Sequence, residues 1–220
     1  MRRIVCGVII GAFGGGGPAV AQLCGGAPSF AGGPLQFSVE ALFNDNAKTF
    51  GGGLALGGRG PFGQLTVGTT TYDNFNASSF NVGLGAGYQL RLDKAGTLNV
   101  CPVAGLGLVN GPKDINGSGL DYSETDLTAG LALGIVAARG KEVMLVPGAS
   151  VAYASASGKL TDPLGGSTRA SASFGVVTLG VGFVFGQRVS LAPSLSIPFA
   201  VRNASTTFGV SVAANLDGWP

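Results

Sequence analysis

Residues 78–92 read SSFNVGLGAGYQLRL, and this stretch decides the fold class. Apolar residues occupy its even-numbered positions from 80 to 92, and small or polar residues occupy the positions between them. A period of two puts alternate side chains on opposite faces of a β-strand. The stretch therefore predicts a strand whose apolar face contacts either a protein core or lipid, and whose polar face contacts either bulk water or an enclosed channel.

The same alternation recurs along most of the chain and predicts about ten strands. A change of phase near Val176 and Val177 predicts a β-bulge at that point. The other segments that alternate are 35–43, 50–56, 64–72, 97–109, 125–137, 143–153, 170–185, 189–201 and 208–216.

The composition is unusual for a soluble protein. Of the 220 residues, 40 are glycine and only 11% are charged, whereas soluble domains average about 25% charged residues. The net charge of +2 is too small to indicate nucleic acid as a partner. The length suits a single all-β domain.

The N-terminus has the pattern of a secretory signal. Arg2 and Arg3 precede a short apolar run, and residues 19–21, Ala-Val-Ala, fit the small-residue cleavage rule. We expect removal of residues 1–21, a flexible segment over 22–34 and the folded domain over 35–217; the alternative is a buried N-terminal helix or strand. No later apolar stretch reaches the roughly 20 residues of a spanning helix, so a membrane span would consist of strands.

The predicted connections alternate between tight turns and mostly longer loops. The turns are 57–63, 93–96, 138–142 and 186–188, and the loops are 44–48, 72–79, 110–122, 155–169 and 201–205. This asymmetry, with aromatic residues at both ends of the strands, is typical of a transmembrane β-barrel. The aromatic residues are Phe43, Phe50, Tyr72, Phe80, Tyr122, Tyr153, Phe174, Phe199 and Phe208 beside the loops, and Phe62, Tyr88, Phe183 and Phe185 toward the turns.

The predicted fold is therefore all-β, a single closed antiparallel up-and-down transmembrane barrel. Small polar residues fill its interior, and the apolar face meets lipid, where only a closed sheet pairs every backbone group. A soluble β-sandwich or barrel is the alternative.

The chain resembles the small outer-membrane β-barrel proteins of Gram-negative bacteria, of the porin-family or opacity type. The resemblance covers the region from about Leu35 to Leu216, and its last strand has the alternation of the family's assembly signal, although Trp219 is next to last rather than terminal. It implies an outer-membrane location and contact with outer-membrane lipid, lipopolysaccharide and the assembly machinery. The alternation predicts a monomer of about ten strands, whereas eight is a common number in this family. The basic residues in or beside the outer loops either contact lipopolysaccharide phosphates or are ordinary solvated loop charges; they are Lys48, Lys113, Lys159, Arg169 and Arg202.

Four residues on the predicted inward face are candidates to line the lumen: Glu40, Gln89, Arg91 and Asp126. The three ionisable ones either line a constriction that biases which ions pass or pair with one another to fill the interior.

Two cysteines remain after signal cleavage, and an even count in an exported protein permits a disulfide. A bond between Cys24 and Cys101 would pull the N-terminal segment into the barrel mouth as a partial plug. The alternative is two free thiols.

Residues 114–125 match part of a calcium-loop pattern. Asp114, Asn116 and Ser118 occupy ligand positions, but Thr125 stands where the pattern requires a bidentate glutamate. We therefore expect an ordinary polar loop and no metal site.

The chain has no histidine, the usual general base near neutral pH. A Ser–Lys or carboxylate-only site remains open, but no spacing indicates one, so we expect no catalytic residues, no cofactor and no enzyme. The functional prediction is a narrow passive pore for small solutes. The alternatives are a non-conducting structural or surface-interaction barrel with a filled lumen and a soluble periplasmic β-protein.

Overall fold

The computed structural model describes residues 35–57, 60–73, 77–95, 97–113, 118–140, 142–186, 188–201 and 204–216. The predicted signal, the segment 22–34 and Trp219 lie outside the described residues. None of the described residues belongs to a helix long and apolar enough to cross a membrane.

Within the described ranges, ten long strands and two short ones form one sheet. The short strands β5 and β8 continue β4 and β7, because each pairs with the same neighbour as the strand before it. The prediction of ten strands is confirmed. The strands are β1 Leu35–Phe43, β2 Ala47–Gly57, β3 Pro61–Tyr72, β4 Ala77–Tyr88, β5 Leu90–Arg91, β6 Leu98–Asn110, β7 Asp121–Ile135, β8 Ala138–Arg139, β9 Val143–Thr161, β10 Ser167–Phe185, β11 Val189–Phe199 and β12 Thr207–Asn215.

The sheet closes into a barrel because β1 pairs antiparallel with β12, from Gln36 with Asn215 to Phe43 with Phe208. Each long strand is antiparallel to both of its neighbours, so the predicted closed antiparallel up-and-down barrel is confirmed. Each residue has a directly paired residue on the neighbouring strand, and these pairs form a path around the barrel. The path that starts at Ser173 on β10 returns to β10 at Phe185, further along the same strand. This stagger shows that the strands tilt relative to the barrel axis.

The path from Ser173 to Phe185 follows the outer surface and is almost entirely apolar. It includes five consecutive leucines, all outward, on β7, β6, β4, β3 and β2. Leu84 is 54% exposed and Leu127 is 59% exposed. An apolar band of this extent suits lipid, since soluble monomers rarely expose large contiguous apolar patches. The five leucines are Leu127, Leu106, Leu84, Leu65 and Leu54.

The inward face carries small polar and small apolar side chains, as the alternation predicts. Ser190, Ser194 and Ser196 on β11 and Ser211 on β12 are all buried. Side chains of this size fit the interior of a narrow cylinder.

Four aromatic residues that the sequence grouped with the strand ends face inward instead. Tyr72, Tyr122, Phe174 and Phe62 are all buried, and each lies on the inward side of its strand's alternation. The remaining aromatic residues beside the loops are on the outer surface, where Phe43 and Phe50 make an edge-to-face contact with ring centroids 5.9 Å apart. The distance of a residue from the end of its strand does not determine whether its side chain faces inward. This depends only on its parity, that is, on whether it belongs to the odd-numbered or the even-numbered residues of the strand.

The predicted β-bulge near Val176 and Val177 is wrong. β10 pairs residue for residue with β9 along its whole length, from Ser167 with Thr161 to Phe185 with Val143. The apparent change of phase arises because Phe174 and Val176 are apolar yet face inward.

The predicted loop 155–169 is mainly strand. β9 runs to Thr161 and β10 starts at Ser167, so only five residues connect them. The Asp162 carboxylate closes this turn by accepting hydrogen bonds from the Leu164 and Gly166 amides, both at 2.9 Å.

Asp93 closes the tight turn at the other end of the barrel. Its carboxylate accepts hydrogen bonds from the Thr97 hydroxyl and from the Leu98 amide, and these bonds hold its pKa below the usual value.

Candidate functional site

Of the four predicted lumen-lining residues, three lie within the barrel and one lies at its end. Gln89 and Asp126 are buried, and Glu40 faces inward on β1. Gln89 donates a hydrogen bond to Asn99 Oδ1 at 2.9 Å. Arg91 shares the inward parity through its pairing with Asn99, but its position near the end of the strand leaves its side chain exposed. The structure therefore does not bring Arg91 to either carboxylate.

Glu40 and Asp126 stand on opposite walls of the barrel. They belong to β1 and β7, which are separated by four strands in either direction around the closed sheet. Both nevertheless line one internal cavity. The cavity therefore reaches across the lumen, and the two carboxylates face it from opposite sides.

Glycine on the inward face makes room for this cavity. Gly51, Gly83 and Gly107 line it and contribute no side chain. A Cβ on Gly107 would lie 2.2 Å from Asp126 Oδ2, so the carboxylate occupies space that only glycine leaves open there.

A network of side-chain hydrogen bonds covers the wall between the two carboxylates. Thr49 and Thr70 hydroxyls are 2.8 Å apart, and Asn81 Nδ2 donates to Thr70 Oγ1 at 2.7 Å. Ser79 donates to Asn81 Oδ1 at 3.2 Å and also contacts the Tyr72 hydroxyl at 3.2 Å. These bonds fix a polar wall on β2, β3 and β4 that is suited to contact with water.

Glu124 is a third inward carboxylate, which the sequence analysis missed. It is only 3% exposed and lies two residues before Asp126 on the same face of β7. The Tyr122 hydroxyl donates a hydrogen bond to its Oε2. Glu124 lies two residues before Asp126, and this spacing predicts the same inward face if both belong to one strand. We interpreted residues 114–125 as a loop, so this prediction was not made for Glu124.

Three carboxylate oxygens of this group have no hydrogen-bond partner: Glu40 Oε2, Glu124 Oε1 and Asp126 Oδ1. The one ion pair between described residues, Lys48 Nζ with Asp73 Oδ1 at 3.1 Å, joins two exposed side chains outside the lumen. The interior group is therefore acidic and lacks a basic partner among the described side chains.

Cys101 lies elsewhere in the interior, on β6. It is 1% exposed, packs against Phe62 and Ala132, and is disulfide-bonded. Cys24 lies outside the described residues, so the pairing of Cys24 with Cys101 stays a prediction.

The candidate calcium loop is only partly described. Asp114 and Asn116 lie outside the described residues, and Ser118 is exposed. Residues 121–125 belong to β7, so that end of the stretch is strand. Searched over the described ranges, the structure has no group of three His, Cys, Asp or Glu side chains arranged to hold a metal ion.

No protein-family model and no curated protein sequence matches the chain. Among solved structures, it is similar to the translocator domain of the autotransporter NalP from Neisseria meningitidis, at 12% identity and a TM-score of 0.49, over 82% of this chain and 87% of that one. It is also similar to the N-terminal β-barrel domain of Pseudomonas aeruginosa OprF, at 11% identity and a TM-score of 0.37, over 82% and 95%.

A third similar structure is the attachment invasion locus protein Ail of Yersinia pestis, solved with a heparin analogue. The match has 12% identity and a TM-score of 0.40, and it covers 82% of this chain and 92% of that one. The identities and TM-scores are too low to transfer a function from any of these structures.

Proposed function

We propose that the protein is a narrow passive pore for small solutes in the bacterial outer membrane. The observation that carries the proposal is the internal cavity, which has glycines in its wall and carboxylates on opposite sides. Buried carboxylates that are ionised and have no protein partner require water or ions. The predicted secretory signal and the apolar outer band support the location.

The expected partners follow from the same architecture. The outer band meets outer-membrane lipid, and the assembly machinery inserts the barrel. We expect a monomer, and the pairing of β1 with β12 of the same chain supports this because it leaves neither strand an edge for pairing with a second copy.

Unitary conductance in a planar bilayer tests the pore. We expect the purified chain to give stable steps and Thr66→Trp to reduce them several-fold, because Thr66 lines the cavity and the indole would fill it. The matched control is Leu65→Trp, the preceding residue of β3, which is 42% exposed on the outer surface, does not line the cavity and should leave conductance unchanged. An absence of steps from protein shown to have inserted would overturn the pore.

A second candidate function is a surface-interaction barrel, and the basic side chains of the β9–β10 hairpin favour it. Lys159 and Arg169 are direct cross-strand partners on the outer face, and no described residue forms an ion pair with either. Like charges in this position destabilise a sheet unless an anion lies between them. The lipopolysaccharide core carries phosphates on the outer-loop side of the membrane, and these fit the pair.

Binding of lipopolysaccharide to the protein in nanodiscs tests this second function. We expect K159Q/R169Q to weaken binding several-fold, and we expect dephosphorylated lipopolysaccharide to bind the unaltered protein equally weakly. Lys94→Gln is the control, since Lys94 is exposed in the turn at the other end of the barrel. Equal binding by K159Q/R169Q and the unaltered protein would rule out this surface.

A further inference from the structure

We propose that Glu40 and Asp126 form a cation-selective constriction, through which small monovalent cations pass in preference to anions. The inference rests on the proposed pore and adds the class of solute. It is carried by the opposed carboxylates and by the absence of a basic side chain beside them among the described residues.

The three inward carboxylates have no basic side chain beside them among the described residues. Asp126 is 6% exposed and Glu124 is 3% exposed, and each has a carboxylate oxygen without a hydrogen-bond donor. Glu40 Oε2 is also buried without a donor. Charges removed from bulk water are ordinarily paired with an opposite charge. Since the described protein supplies none here, a cation that enters the cavity is the natural counter-charge for whichever of these carboxylates is ionised.

The positions of Glu40 and Asp126 place them on both sides of the cavity. Glu40 and Asp126 face one cavity from opposite walls, with four strands between them on each side. A cation that enters this cavity therefore lies between them. Rings or pairs of acidic side chains at such a position favour cations in known channels. The described carboxylates do not form a chelating group, so an ion is able to leave as well as enter.

Other ionisable side chains around the cavity bear on which ions would pass. Glu124 is a further carboxyl group on the same face of β7, with one oxygen accepting a hydrogen bond from Tyr122 and the other without a hydrogen-bond partner. The described lysine and arginine side chains at Lys48, Arg91, Lys94, Lys113, Lys159, Arg169 and Arg188 are either exposed or on the outer face. Arg91 lies at the opposite mouth from Glu124. None of these basic groups lines the cavity that Glu40 and Asp126 face.

The test is the reversal potential of the purified chain in a planar bilayer under a potassium chloride gradient. We expect a preference for potassium over chloride of about tenfold, equivalent to about 1.4 kcal/mol. The double variant E40Q/D126N keeps both side-chain shapes and should bring the ratio close to one. The control is Asp45→Asn, an exposed carboxylate in the connection between β1 and β2, which should keep the preference.

The outcomes separate this inference from the pore itself. Conductance without selectivity in the unaltered chain, or selectivity that survives in E40Q/D126N, would overturn the cation constriction and leave the pore standing. An absence of unitary steps from inserted protein would overturn both. Circular dichroism and resistance to heating establish that each variant has the same fold, so that a lost preference is not the result of unfolding.

Discussion

Replacing Leu84 by arginine is expected to destabilise the membrane-inserted barrel by about 2–4 kcal/mol, the cost of an arginine on the lipid face at mid-membrane. Leu84 lies near the middle of β4 and is 54% exposed on the outer surface. Its registered neighbours on either side are Leu65 and Leu106, so the new charge would lie in a continuous apolar band. Neither neighbour offers a counter-charge or a hydrogen-bond acceptor.

The measurement is guanidinium unfolding of the chain in phospholipid vesicles, followed by far-ultraviolet circular dichroism. The control is Ser78→Arg on the same face of the same strand, because Ser78 is already exposed and polar near the loop end. We expect that variant to differ from the unaltered chain by less than about 1 kcal/mol, as is usual near the membrane interface. Equal stability of both arginine variants would mean that the leucine band does not face lipid.

The second large effect is expected at Gly130, where valine should destabilise the barrel by about 1–3 kcal/mol through overpacking. A Cβ at this position would lie 2.3 Å from the Val151 carbonyl oxygen and 2.7 Å from Ala152 Cα. Both atoms belong to the backbone of β9, which pairs with β7 through fourteen consecutive residues. The clash therefore cannot be relieved by turning a side chain, and the two strands must separate locally.

The control for Gly130→Val is Gly63→Val, on β3. A Cβ there would have only the Gly85 carbonyl oxygen nearby, at 3.7 Å, which is ordinary contact. The same unfolding measurement should place this variant close to the unaltered chain. If both valine variants were equally stable, β7 and β9 would not approach as closely as the structure has them.

The barrel itself was predictable because alternation is a local property. Apart from the two-residue pieces β5 and β8, each strand has at least nine residues. Along most of this length, apolar residues alternate with small or polar ones. The bulge prediction failed for a physical reason. Phe174 and Val176 fill the lumen, where an apolar side chain is as acceptable as a polar one, so the pattern alone did not identify the face.

The candidate site was predictable only in part. Glu40, Gln89 and Asp126 were selected because polar residues of the right parity face inward. Glu124 was missed because residues 121–125 were interpreted as a loop, although they begin β7. The expected pairing among the inward charges does not form with Arg91, because that residue lies at the end of its strand, far along the lumen from the two carboxylates.

The number of strands, and the face of most residues in them, followed from the amino-acid pattern, since both depend on residues two positions apart in the same strand. That Glu40 and Asp126 face each other across one cavity became known only from the folded barrel. Their opposition depends on the order of ten strands around a closed ring and on the stagger that returns Ser173 to Phe185. The number of strands between the two residues is defined only once the barrel has closed, so no local pattern of side chains predicts it.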